Sequence, residues 1–242
     1  MAWFYIEKLS GDVHTIIGDD ARHIEKSLRM TQGETLTLCD CDGMEHHCEI
    51  IEIQKGSVTV RILESKTCDN EPKIKLTLFQ ALPKGDKMDL IIQKAVELGV
   101  TEIVPIISAR CVSRPDSKTL LKKTERWQKI ALAAAMQSRR GIVPKVCSVM
   151  SFEKAIEAAD KSDLKIVFYE CGGENLETII KSEHKNISIF IGSEGGFEEG
   201  EIEKIKKAGG SVATLGRRIL RAETAPLAAI SIIMYETGNF NL

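Results

Sequence analysis

From Lys73 onward, short runs rich in Ile, Val, Leu and Phe alternate with segments whose apolar residues recur at helical spacing. Residues 74–81 read as a strand. Residues 86–98 read as a helix with Met88, Ile91, Ile92, Ala95 and Leu98 apolar and Gly99 as its stop, and 102–107 as a second strand. A long helix follows over 118–139, with Asp116 or Ser117 as its cap. The alternation continues as helix 151–159, strand 164–169, helix 174–182, strand 187–191, helix 198–208, strand 211–215 and helix 222–235. Strands separated by helices cannot pair as hairpins, so this order dictates an α/β fold with a mainly parallel sheet covered on both faces. In such a sheet the ligand crevice lies outside the carboxyl ends of the strands.

The first seventy residues follow another pattern. Residues 3–6, 34–39, 46–53 and 57–63 alternate or are enriched in β-branched residues, with turns at Asp42-Gly43 and Lys55-Gly56. One helix is expected at 19–30, closed by Gly33. Short strands with one helix suggest a small barrel-like domain over 1–70, joined to a second domain over 74–242 by the polar stretch 65–73. No apolar run reaches the roughly 18–20 residues of a membrane span, and the N-terminal stretch lacks the pattern of a signal peptide. Seven irregularly spaced cysteines point to a reduced, cytoplasmic setting. Cys39, Cys41, His46, His47 and Cys48 cluster, but their spacing matches no structural zinc pattern, so no metal is expected.

Within the alternating region two apolar runs end in glycine loops. Ile187, Ile189, Phe190 and Ile191 lead into Gly192, Gly195 and Gly196, and Val212 to Leu215 lead into Gly216. Glycines at strand ends let a ligand approach the backbone. Arg217, Arg218 and Arg221 crowd the second loop around Ile219 and Leu220, with Glu223-Thr224 following, an arrangement suited to an anionic or enolate-like substrate beside an apolar pocket. The missing motifs exclude much else. There is no G-x-G-x-x-G after the strand at Leu76, no phosphate-binding P-loop, and no G-x-S-x-G elbow, because Gly192-Ser193-Glu194-Gly195 has the wrong spacing.

Net charge is only −2, but its distribution is uneven. Residues 1–70 carry 7 Lys/Arg against 13 Asp/Glu, whereas 108–145 carry 10 Lys/Arg against Asp116 and Glu125. The basic segment suits either a solvated helix face or a polyanion contact. Arg139 and Arg140, at the end of the long helix, suit either the helix dipole or a phosphate contact.

The sequence resembles the RsmE family of 16S ribosomal RNA uridine-N3 methyltransferases, in the SPOUT superfamily. The resemblance rests on Lys84-Gly85-Asp86-Lys87-Met88-Asp89, Gln93 to Gly99, Arg126-Trp127, Gln137-Ser138-Arg139-Arg140, Ile191 to Phe197 and Leu215 to Ala225, and it extends to His23 and Leu28-Arg29. Ser193 stands where that family usually has proline. The resemblance implies a C-terminal knotted α/β domain preceded by a small PUA- or OB-like β-barrel. It implies S-adenosyl-L-methionine as cofactor, held by Tyr169, Glu170, Ile191, Gly192, Gly195, Gly196, Leu215, Gly216, Ile219 and Leu220. It implies Arg221 and Glu223 as catalytic, and Lys84, Lys87, Arg139, Arg140 and Arg29 as contacts to the substrate, 16S ribosomal RNA or the small subunit, with uridine 1498 as target. It also implies a homodimer. Glu223 is read as orienting Arg221 or accepting the N3 proton. The alternatives are a SPOUT enzyme acting at another RNA position, and a non-catalytic RNA-binding assembly protein.

Overall fold

A computed structural model describes residues 2–240, apart from 8, 10, 41, 42 and 182. Cys41 and Asp42 of the expected Asp42-Gly43 turn therefore lie outside the described residues, as does Ser182 at the end of an expected helix; Gly43 itself has φ of 88°. The chain forms two compact units, Met1–Glu71 with Ala135–Val143, and Pro72–Ala134 with Pro144–Leu242.

In the first unit, strands β1 (Ala2–Tyr5), β2 (Val13–Ile17), β3 (Thr35–Cys39), β4 (Met44–Gln54) and β5 (Ser57–Thr67) form one sheet in the order β1-β3-β4-β5-β2. The β1/β3 pair is parallel and the others are antiparallel. Phe4, Leu36, Leu38, Cys48, Ile50, Val58 and Val60 fill its core with Ala21 and Ile24 from the single helical stretch, α1 (Gly18–Arg22) continued by a π-turn over His23–Ser27. Strand β2 does not stand out in the sequence, because Val13 and Ile17 face outward and only Ile16 is buried. Strand β5 runs to Thr67, so part of the polar stretch expected to be linker is paired with β4. His46 and Cys48 are buried, and burial pushes the Cys48 thiol up to about 11.

The second unit contains β6 (Lys75–Ala81), α2 (Lys87–Glu97), β7 (Glu102–Ile107), α3 (Ser117–Gln137), two-residue strands β8 (Lys145–Val146) and β9 (Met150–Ser151), α4 (Phe152–Ala158), β10 (Leu164–Phe168), α5 (Leu176–Ile179), β11 (Asn186–Ile191), α6 (Glu199–Lys207), β12 (Ser211–Ala213) and α7 (Thr224–Glu236). All pairings are parallel, in the order β12-β10-β11-β6-β7-β8, with β9 also on β7. Phe79 of β6 stacks on Phe190 of β11 at 4.5 Å between ring centroids, and Phe152 meets Phe190 edge-on. Asp116 caps α3, its Oδ1 accepting from Thr119 N at 2.8 Å, and the Ser151 hydroxyl caps α4.

The last turn of α3 packs with the first unit. It ends in a Schellman motif in which Arg140 N donates to Ala135 O at 3.0 Å and Arg139 N to Met136 O at 3.3 Å. Helices α2, α6 and α7 close with the same pair of bonds, placing Gly99, Gly209 and Gly238 at the left-handed position. In α3 that position is Arg139, with φ of 56°, at a cost of about 1–2 kcal/mol for a residue bearing a Cβ. Arg29 (φ 53°) is the other residue besides glycine with positive φ among those described, and both arginines are exposed.

Arg140 turns the opposite way. It is 3% exposed, its Nε and Nη2 donate to the two oxygens of Glu71 at 3.1 and 2.6 Å, and its carbonyl accepts from the Tyr5 hydroxyl at 2.6 Å. Glu71 also accepts from Ile142 N at 3.1 Å. The substrate contact expected of Arg140 is thus replaced by a bidentate internal ion pair, since a buried guanidinium needs a carboxylate beside it. Replacing Arg140 by alanine leaves Glu71 without its ionic partner. Denaturant unfolding of R140A is expected to show a loss of about 3 kcal/mol.

Candidate active site

Because β10, β11, β12 and β6 are parallel and adjacent, their carboxyl ends emerge along one edge of the sheet. There the residues after β10, β11 and β12 enclose a cavity of about 270 Å³, near the lower end of the roughly 300–1,000 Å³ typical of small-ligand sites. Its lining includes Tyr169, Glu170, Ile191, Gly192, Gly195, Gly196, Leu215, Gly216, Ile219 and Leu220. The sequence-predicted cofactor positions are thus gathered in one place, together with Ser193, Glu194, Arg217, Arg218, Ala222 and Ala225.

The turn after β11 is tight. Gly196 N donates to Ser193 O at 2.9 Å, and a Cβ on Gly192 would come within 2.9 Å of Gly196 Cα. Gly196 has φ of 67°, and a Cβ there would fall 2.3 Å from Glu170 Oε1. Glycine adopts that left-handed geometry without the cost a Cβ brings and leaves room for the Glu170 carboxylate. Three side chains fix the turn. Gln80, fully buried in β6, donates from Nε2 to Gly192 O at 3.2 Å. Arg110 Nη1 donates to Gly195 O at 3.0 Å. Phe197 is fully buried, its ring 5.4 Å from that of Phe152. The Ser193 hydroxyl, in a residue only 7% exposed, has no hydrogen-bond partner among the described residues. A buried hydroxyl without a partner on a cavity wall is suited to a ligand that can bond to it. The other wall is apolar but open, with Ile219 86% exposed.

Sequence reading missed Gln80, Arg110 and Glu194 as contributors. Gln80 carried a signal, being a polar residue inside the apolar run Leu76–Ala81. Arg110 was merged into the basic segment, and Glu194 was hidden among glycines.

The charged groups beside the cavity divide into paired and unpaired. Lys87 Nζ lies 2.9 Å from Glu194 Oε1 and 3.2 Å from Glu223 Oε2, and Lys84 N donates to the Glu194 carboxylate at 3.2–3.3 Å. Arg221 is exposed, and no hydrogen bond or ion pair holds its side chain among the described residues. Glu223 is therefore seated by Lys87, and the expected Glu223–Arg221 pair is not formed. A hydrogen bond from its own backbone N–H, then Lys87 and the nearby Arg221, hold the Glu223 carboxyl below the ordinary carboxylate value. Burial pushes Glu194 up, but Lys87 and the backbone N–H groups of Glu194 and Lys84 outweigh it, and its pKa is lowered. Lys87 is raised by its hydrogen bond to Glu194 and by its ion pair with Glu223. Arg29, Arg139 and Arg140 belong to the first unit.

A glycine-walled cavity at the carboxyl ends of a parallel sheet, flanked by an exposed arginine, defines a small-molecule site joined to anion-binding potential. Comparison with known proteins gives that class a name: residues 70–234 match the RNA methyltransferase domain model, and 16–63 match the RNA methyltransferase PUA domain model. The chain is 40% identical to the ribosomal RNA small subunit methyltransferase E of Bacillus subtilis over 230 residues, 92% of this chain and 90% of that one. It also matches the crystal structure of a ribosomal RNA small subunit methyltransferase E from Neisseria gonorrhoeae bound to S-adenosyl methionine, at 35% identity, TM-score 0.86 and 97% of each chain. A Legionella pneumophila methyltransferase in complex with bound SAM matches at 30% identity and TM-score 0.87, over 97% of this chain and 96% of that one. The chain belongs to the ribosomal RNA small subunit methyltransferase E family.

The lowered carboxylates fix a pH dependence. Groups whose folded pKa is depressed stabilise the fold fully above their ordinary value, 4.5, and lose that contribution as pH falls through the lower folded value. The raised Lys87 contributes below 10.5 and loses its contribution only as pH rises through its higher folded value. The stability difference between wild type and E194Q, measured by denaturant unfolding, should stay constant between those limits and shrink below pH 4.5.

Proposed function

We propose that this chain transfers a methyl group from S-adenosylmethionine to N3 of one specific uridine in small-subunit ribosomal RNA. The observation that carries the reading is the glycine-walled cavity with its buried, unpartnered Ser193 hydroxyl, in a chain that matches this family over nine-tenths of its length. The cavity suits the cofactor chemically. The open backbone at 192–196 and 215–220 offers hydrogen-bonding groups, Leu215, Ile219 and Leu220 offer an apolar wall for a purine ring, and Glu170 offers a carboxylate for hydroxyls or an ammonium. When bound, S-adenosylmethionine supplies a methyl group already activated on a sulfonium centre.

The chain's own residues then have to position the base and stabilise charge. Uracil N3 becomes nucleophilic only after losing its proton, and the negative charge spreads over O2 and O4. Arg221, at the edge of the cavity and without an ion-pair partner among the described residues, is suited to stabilise that charge. Glu223, already paired with Lys87 and held at low pKa, is a weak base, which favours an electrostatic role over proton abstraction. The RNA itself must present an unstacked base.

In the first unit, which includes the PUA match, Arg29 and Arg139 are favoured as RNA contacts over Arg140, because each carries an exposed guanidinium on a backbone that glycine would adopt at lower cost. Strain of that kind is retained where the side chain has work to do. Residues 214–220, returning from edge strand β12 to line the same cavity as 192–196, support a trefoil knot. Helix α7, apolar around most of its circumference with Ile232 and Tyr235 exposed, supports a homodimer. No described helix is long and apolar enough to cross a membrane, and a ribosomal substrate favours the cytoplasm.

Mapping N3-methyluridine in small-subunit RNA from cells with and without the gene tests the reaction directly, and an unchanged profile would refute it. R221A should abolish methylation while binding S-adenosylmethionine nearly as tightly as wild type by calorimetry; equal loss of both would reject the catalytic assignment. R139G should separate stability from function. Relief of the left-handed strain is expected to raise unfolding stability by about 1 kcal/mol, while kcat/KM on RNA falls.

A further inference from the structure

The strongest charge arrangement near the cavity, outside the groups assigned to the chemistry, centres on Lys87. This residue opens α2, and its ammonium sits between Glu194, in the turn after β11, and Glu223, at the N-terminus of α7. The three side chains are partly buried, at 33%, 28% and 21% exposure. The helix end presenting Lys87 is itself fixed. Asp89, in the same first turn, accepts from Trp127 Nε1 at 3.1 Å and from Arg126, both on α3.

The charges argue against an RNA contact by Lys87. One ammonium faces two carboxylates, so its charge is already compensated inside the chain and is little available to an approaching phosphate. The geometry instead joins two segments with different tasks. Glu194 lies between Ser193 and Gly195, which line the cavity, and Glu223 lies two residues after Arg221. Without the ammonium, two carboxylates would face one another in a half-buried setting, and both turns would have to move apart or one group take up a proton. We infer that Lys87 is a positioning residue that ties the glycine turn at 192–196 to the Arg221 turn, so that cofactor occupancy and the seating of Arg221 are coupled. The inference rests on the methyl-transfer reading for its purpose and on the ion triad for its existence.

The test has one readout for each. Hydrogen exchange is measured on the cofactor-free, full-length wild type, K87M, K87R and E194Q, and S-adenosylmethionine affinity is measured on the same proteins and on K87M/E194Q. K87M should speed exchange by about tenfold at both 192–196 and 221–225 while leaving β7 unchanged. E194Q, which leaves α2 intact, should reproduce this, and K87R should restore most of the protection. K87M should weaken cofactor binding about tenfold, and K87M/E194Q no further, because both changes cut the same link. Unchanged exchange, faster exchange at only one of the two turns, or losses that multiply in the double variant would overturn the tie. If wild type binds no S-adenosylmethionine while K87M still loosens both turns, the tie stands and the methyl-transfer reading falls.

Discussion

Everything at the candidate site depends on β11 lying between β10 and β6. Parallel pairing on both sides puts the ends of three strands at one edge, and β12 on the far side of β10 adds a fourth. The stacked Phe79 and Phe190 rings sit beneath that edge and fix the register where it matters. Gln80, one residue further along β6, reaches the first glycine carbonyl from within the core. The glycine turn is therefore held in large part from outside, by Gln80 of the sheet together with Arg110 and Lys87. That makes physical sense, since glycines contribute no side-chain contacts and lose the most conformational freedom on ordering.

Electrostatics around this edge follow a division of labour. Glu194 and Glu223 beside the cavity are paired with Lys87 and kept ionised, whereas among the described residues no hydrogen bond or ion pair holds the Arg221 side chain. A guanidinium without an internal carboxylate is available to an incoming anion; one with a bidentate partner, such as Arg140 with Glu71, is not. Adjacent residues of one dipeptide thus serve opposite ends, and the backbone decides which. The left-handed conformation at Arg139 sends its side chain to solvent, and the next residue turns into the core.

Strand and helix alternation made the parallel sheet legible, because it follows from hydrophobic period alone. Boundaries such as Glu102–Ile107 for β7 coincide with the expected ones. Strand β2 was illegible because it is an edge strand with one buried residue and no alternation to read. Helix α5 proved only four residues long, since Leu176 and Ile179 give it little apolar surface to bury. The glycine walls of the cavity were legible because glycines after apolar runs have few other uses, whereas Tyr169, Glu170, Ile219 and Leu220 followed only from the family resemblance. The roles of Lys87 and Arg140 were not, because which carboxylate a cation meets depends on segments tens of residues away.

The chain passes between its two compact units three times, since Ala135–Val143 belongs with Met1–Glu71 although the rest of α3 belongs with Pro72–Ala134. Neither unit is a continuous stretch of sequence. Excising residues 1–71 would separate Glu71 from Arg140 and remove Met136 from the core it packs against. Gene fusion or exchange of one unit for a homologous one would have to respect this interleaving. A first unit exchanged for another therefore has to bring the last turn of α3 with it, although the rest of that helix stays with the second unit.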